Sequence, residues 1–208
     1  MKNPQMVFLI IIIAVGLVFG GYLLNPGATD TTNPVADETP AAISDPALIN
    51  NDQAPLIGSA DAKVKLVVFS DYLCSYCKSA HEVMDGILKD NPDVSLQARS
   101  FILQEDSRIF AQAAEAANKQ GKFAEMNNAL FNGEAQSNED SVKVLASKLG
   151  LDVDQFVQDL NSDEIKSRVA KDEEDALGLG LQGTPSIYLN NSPVSNFKDL
   201  PSLVEQQK

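Results

Sequence analysis

Hydrophobic and polar positions follow three different patterns along the 208 residues. From Met6 to Leu24 the chain is apolar or neutral for 19 residues. As a helix rising about 1.5 Å per residue, that run nearly matches a hydrocarbon layer of about 30 Å. From Asn25 to about Asn51 there is no apolar period at all, only Thr, Ala and Asp punctuated by Pro26, Pro34, Pro40 and Pro46. Such a segment buries too little to fold, so an extended tether is expected over 25–52. The third pattern begins at Val64. Strand character over Val64–Phe69 gives way to a helical spacing of Ala80, Val83, Met84, Ile87 and Leu88, and then to a second strand over Val94–Ile102. Strand, helix, strand predicts a parallel right-handed unit.

From Asp106 to about Gly180 the spacing is helical throughout. Ile109, Phe110, Ala113, Ala114 and Ala117 share a face that stops at Gly121, and Phe123, Met126 and Leu130 share one that stops near Gly133. Val142, Leu145 and Leu149 stop at Gly150; Phe156, Val157 and Leu160 follow; Ile165, Val169, Asp172 and Ala176 lead to Gly178. The charge run Lys171-Asp172-Glu173-Glu174-Asp175 reads as a solvated helix face. A late strand, Ser186–Leu189, precedes the turn-forming pair Asn190-Asn191, a short edge segment near Pro193-Val194 and a closing helix from about Asp199. The expected architecture is α/β, with an α-helical block at about 106–180 inserted between two strand-bearing halves. The folded domain spans 53–208, preceded by an anchor over 1–24 and a linker over 25–52.

Charge refines this picture in two ways. The formal net charge of -13 and the lack of Trp argue against nucleic-acid binding, which needs a basic face. Lys2 precedes the apolar run, and no Lys or Arg follows until Lys63, so the N-terminus is expected in the cytoplasm and the domain outside the membrane, periplasmic or at the cell surface. A cleaved signal peptide is the rival reading, but Pro26-Gly27-Ala28 is a poor small-x-small site, and a retained single-pass anchor through residues 6–24 is preferred. Either way the domain is exported, to a compartment where disulfides persist.

The chain's only two cysteines stand in Cys74-Ser75-Tyr76-Cys77, directly after the first strand and at the start of the first helix. A helix N-terminus favours thiolate over thiol, and a cysteine one turn inward can close a disulfide with the first. The competing readings are a structural zinc site, to which His81, the one histidine, could add and which a carboxylate would have to complete; two inert thiols; and a short-loop staple of little entropic value.

Phe69-Ser70-Asp71-Tyr72-Leu73-Cys74-Ser75-Tyr76-Cys77, Gln120-Gly121-Lys122-Phe123 and Gly183-Thr184-Pro185 together resemble the DsbA-like thiol:disulfide oxidoreductases, over essentially all of residues 53–208. The resemblance implies a thioredoxin-like fold with a helical insertion, Cys74 as attacking sulfur and Cys77 as buried resolving sulfur. It also implies a cis bond before Pro185 that aims the Thr184 backbone at a substrate segment. Ser75, Tyr76, Asp71 and His81 are candidate modulators. Relatives often carry a buried acid six residues before the first cysteine, where this chain has Val68; Asp71 is closer to the motif but not equivalent by position. His81, four residues beyond Cys77, reads as a surface or packing residue. The implied activity is donation of a disulfide to exported proteins with free thiols, by a monomer without cofactor or metal, reoxidised by a quinone-linked membrane partner. A reductase or isomerase of the same fold, a tethered metal-binding module, and an interaction domain with vestigial cysteines are the alternatives.

Overall fold

The computed structural model describes residues 45–207. The apolar run at 6–24 and most of the tether lie outside the described residues. Among the described residues no helix is long and apolar enough to cross a membrane.

A five-stranded sheet has the order β1-β3-β2-β4-β5. Its strands are β1 (Leu56–Ile57), β2 (Val64–Ser70), β3 (Val94–Ser100), β4 (Ser186–Leu189) and β5 (Ser192–Val194). The expected parallel pair is β2 with β3, in register from Val64↔Val94 to Ser70↔Ser100, while β1, β4 and β5 pair antiparallel. β4 and β5 are joined by Asn190 and Asn191 alone, both at positive φ (47° and 64°), the backbone that a tight two-residue hairpin demands and that Asn tolerates. The two-residue strand β1 carries too little pattern to stand out in the sequence.

Alternation along β2 sends its side chains to two apolar layers. Val64, Leu66 and Val68 face α2 (Ser75–Asp90) and α8 (Leu200–Glu205), packing on Ala80, Met84, Ile87, Leu200 and Val204. Val67 and Phe69 face the other way, onto Tyr188, Ala176, Leu179 and Ile49. A third layer fills the inserted block of α3 (Arg108–Lys119), α4 (Phe123–Phe131), α5 (Glu139–Lys148), α6 (Val153–Leu160) and α7 (Asp163–Gly178). Helices α3, α4, α5 and α7 end alike, with a left-handed glycine at 121, 133, 150 and 180 whose successor donates its N–H back to the last turn, as Lys122 does to Ala117 O and Leu181 to Ala176 O.

Helix α7 ends at Gly178 as expected. That glycine also serves a close approach, since a β-carbon there would lie 3.2 Å from Leu48 Cδ1. Two expectations are corrected. The tether does not extend to 52, because a one-turn helix α1 (Pro46–Ile49), capped by the Asp45 carboxylate, docks on the sheet with Ile49 fully buried. Nor is the Lys171–Asp175 run a solvated face. Asp172 and Asp175 are buried, each holding the buried Arg99 guanidinium, at 2.5 Å and 2.6 Å. Arg99 also donates to the Leu48 and Ile49 carbonyls and lies over the Phe69 ring, so one side chain ties α1, β2, β3 and α7 together.

Candidate active site

Cys74 is the N-cap of α2, in extended backbone (φ -80°, ψ 119°). An N-cap is where Ser or Asp would place an oxygen to accept the N–H groups two and three residues on. Here the side chain is a thiol, which makes no capping hydrogen bond. The Tyr76 and Cys77 N–H groups turn toward it, the Cys77 thiol faces it, and its own thiol reaches the Thr184 carbonyl at 3.5 Å. Partial burial alone would raise the Cys74 pKa. The Thr184 hydroxyl, the Cys77 N–H and thiol and the Tyr76 N–H outweigh burial and hold it below the ordinary thiol value.

Cys77 occupies the next inward position and is buried, with both sulfurs in the free form. Burial pushes its pKa up to about 12, with the nearby Thr184 hydroxyl and Asp71 N–H acting the other way. Two thiols one turn apart are thus split, the outer toward thiolate and the inner toward thiol. Thr184 faces both. Its hydroxyl oxygen is buried and has no hydrogen-bond partner. The Thr184–Pro185 peptide bond is cis.

Of the other residues singled out in the sequence, Ser75 and Tyr76 are exposed, and only their backbone course and the Tyr76 N–H bear on the sulfur. Val68 is buried in the layer beneath α2. Asp71 is fully buried, and both its oxygens accept from backbone N–H groups, those of Leu73, Leu103 and Gln104 at 2.8–2.9 Å. His81 is a packing residue: it is buried, stacks on Phe131 at 4.6 Å and faces Asn128, and burial lowers its pKa. The stack continues through Tyr72 to Phe110, bracing α2 and the cysteine turn against the inserted helices. Cys74, Cys77 and His81 do not converge as ligands, and among the described residues no group of three His, Cys, Asp or Glu side chains is placed to hold a metal ion. The part played by Leu103 and Gln104 left no mark in the sequence, since contact with Asp71 depends on β2 and β3 ending side by side.

A low-pKa thiol at a helix N-terminus, an inner thiol within reach, and a cis-proline loop facing both define a dithiol oxidoreductase of the thioredoxin fold. The comparisons agree. The family model described as Thioredoxin matches residues 50–206, and the chain belongs to that family, within which it is a DsbA-like protein disulfide oxidoreductase. It is 33% identical over 166 residues to a "Probable disulfide bond formation protein D" of Bacillus cereus, covering 73% of this chain and 77% of that one. It is 32% identical over 162 residues to "Na(+)/H(+) antiporter NhaA 1" of Mycolicibacterium vanbaalenii, covering 75% of this chain but spanning only 26% of the antiporter's length. Among solved structures, a thioredoxin-like oxidoreductase from Silicibacter pomeroyi superposes with a TM-score of 0.68 at 33% identity, covering 77% of this chain and 95% of that one.

Proposed function

We propose that the chain is an extracytoplasmic disulfide donor, in which Cys74 exchanges with the thiols of exported proteins and Cys77 resolves. The carrying observation is the placement of the two sulfurs, Cys74 at the N-cap of α2 with its thiol 3.5 Å from the Thr184 carbonyl and Cys77 buried one turn inward, which lowers the pKa of the first and raises that of the second. In the oxidised pair a substrate thiolate attacks Cys74 Sγ. A substrate–Cys74 disulfide forms, the Cys74–Cys77 bond breaks, and Cys77 leaves and takes a proton. The second substrate thiolate then attacks the substrate sulfur of the mixed disulfide and expels Cys74 as a thiolate. Two electrons pass from the substrate dithiol to the protein pair; one of the substrate's protons ends on Cys77 and the other in solvent.

Stabilising the Cys74 thiolate stabilises the reduced protein and improves the leaving group, so the same hydrogen bonds favour net oxidation of substrates. Thr184 and Pro185 form the loop beside which a substrate segment pairs, with Thr184 O 3.5 Å from the reacting sulfur. Residues 6–24 serve as the membrane anchor, and a membrane oxidant of the quinone-linked kind restores the disulfide. The name of the Bacillus relative supports this direction.

The test is to offer the oxidised protein a reduced, unfolded secretory protein and follow loss of thiols. Stoichiometric oxidation, with Cys77→Ala trapping substrate on Cys74, is expected. A protein that leaves the thiols untouched yet reduces a model disulfide would reverse the assigned direction.

A further inference from the structure

Where strands β2 and β3 begin, a cavity of about 330 Å³ opens that thiol exchange does not use. The register sets Lys65 beside Ser95 and Val67 beside Gln97, and alternation puts all four on the sheet face opposite α2. β1 adds Leu56, which pairs with Gln97, and the segment that follows α1 supplies Asn50, Asp52 and Ala54 to the lining. At about 3.3 Å per residue, Lys65 stands about 17 Å before the end of β2, and the cysteine turn lies beyond that end. The two sites are separate.

Hydrogen bonds hold this lining in place. The Gln97 amide turns both ends to Asn51, accepting from its N–H at 3.0 Å and donating to its carbonyl at 2.6 Å. Asn50 donates to Asn191 Oδ1 at 2.9 Å, and the Pro55 carbonyl accepts the Ala98 N–H at 3.0 Å. The segment over 50–55 is thus fixed to the sheet on both sides of Asp52.

What the cavity offers a ligand is polar groups without partners. Ser95 is 2% exposed, yet among the described residues its hydroxyl makes no hydrogen bond. A buried hydroxyl ordinarily has a partner, so an unpartnered one on a cavity wall points to a polar group bound there. Asp52 and Lys65 line the same cavity with exposed side chains, and among the described residues neither forms an ion pair, with the other or elsewhere. An anion would suit Lys65 and be repelled by Asp52, and a cation would meet the reverse. A molecule that carries both charges satisfies both residues. Leu56 and Val67 give the lining an apolar part, and the volume lies at the lower end of ligand pockets, about 300–1,000 Å³.

We propose that this cavity is a second ligand site, which binds a small zwitterion of the α-amino acid kind with an apolar side chain. Lys65 takes the carboxylate, swinging on its flexible four-carbon stem; the Ser95 hydroxyl donates to the same group; and Asp52 takes the ammonium. The ligand's side chain lies against Leu56 and Val67. Binding joins the segment after α1 to β2 and β3 and leaves the sulfurs untouched.

The full chain is titrated near pH 7 with phenylalanine, with its anionic and cationic halves phenylpropionate and phenethylamine, and with the dipeptide alanyl-phenylalanine. Amide resonances of Ser95 and Gln97 report binding. Phenylalanine is expected to half-saturate at about 1 mM or below, and each half to bind at least about fivefold more weakly. Ser95→Ala should weaken phenylalanine by about fivefold. Asp52→Asn should close the gap between phenylalanine and phenylpropionate, and Lys65→Gln that between phenylalanine and phenethylamine, a crossed pattern that a merely structural role would not give. Hydrogen exchange at the Asn51 amide should slow with ligand. Tighter binding of the dipeptide would keep the site and make its ligand a short peptide. Shifts that never saturate, or halves that bind as well as phenylalanine, would overturn the proposal. So would binding that survives Ser95→Ala unchanged or that follows the redox state of the cysteines. None of these readings depends on thiol exchange.

Discussion

At the residue scale the chemistry rests on which atoms face Cys74 Sγ. The helix dipole supplies about 0.3–1 kcal/mol when exposed and up to about 2 when partly buried, only a few tens of millivolts for a two-electron couple. The direct donors are therefore decisive, and the Thr184 hydroxyl is the one that a substitution can remove without touching the main chain. Thr184→Val keeps the side chain's shape and takes away the group facing both sulfurs. The Cys74 pKa should rise, and the reduction potential should become less oxidising by about 30 mV for each unit of that rise. Ultraviolet thiolate absorbance followed against pH gives the first quantity, and equilibration against glutathione gives the second. If the thiolate midpoint stays where it was, the hydroxyl does not act on the sulfur.

At the scale of elements, Arg99 ties α1, β2, β3 and α7 together, and truncating it leaves two buried carboxylates without their guanidinium, Asp172 keeping only the Ser100 N–H and Asp175 only Lys171. Arg99→Ala should lower stability by about 3–5 kcal/mol. Asp175→Asn should lower it by clearly less, because Arg99 keeps Asp172 and the α1 carbonyls. Urea unfolding of the two variants decides it; a loss below about 1 kcal/mol in Arg99→Ala would show that the cluster holds little together. This cluster also marks where sequence reading stops. The helical period already set Asp172 in line with Ile165, Val169 and Ala176, on the inward stripe, yet a run of five charges argues for solvent. Only its partner, 73 residues away in β3, reverses that reading. Strands β2–β5, the inserted helices, the end of α7 and the cysteine turn were legible because each is written in local spacing. Strand β1, helix α1 and the Asp71 contacts were not, because long-range contact produces them. Four residues of a Pro-rich stretch become helix only when Arg99 and Gly178 are there to receive them.

At the scale of the whole molecule, the inserted helices meet the sheet-bearing half around a further buried acid. Glu115 in α3 is nearly enclosed; its carboxylate stands 3.1 Å from Arg168 in α7, and Arg168 also donates to the Gln53 carbonyl ahead of β1. Asp172 and Arg99 act on Glu115 from the neighbouring cluster, and Glu115 in turn bears on Tyr72 beside the cysteine turn. Burial pushes the Glu115 pKa up to about 7 from an ordinary 4.5, Arg168 only partly opposing it. The sign follows from linkage: between pH 4.5 and 7 the unfolded chain has released this proton while the folded chain retains it, so the native state loses stability as pH rises through that window. Two and a half units at about 1.36 kcal/mol each set the ceiling on this one contribution at about 3 kcal/mol. Because other carboxylates titrate across the same range, the comparison must be differential. Urea unfolding of the wild type and of Glu115→Gln, both reduced, at pH 5 and pH 7.5 should show the variant gaining on the wild type as pH rises, by about 2–3 kcal/mol. Parallel curves for the two proteins would mean that Arg168 neutralises Glu115 fully and that the junction between the two halves carries no pH-dependent cost.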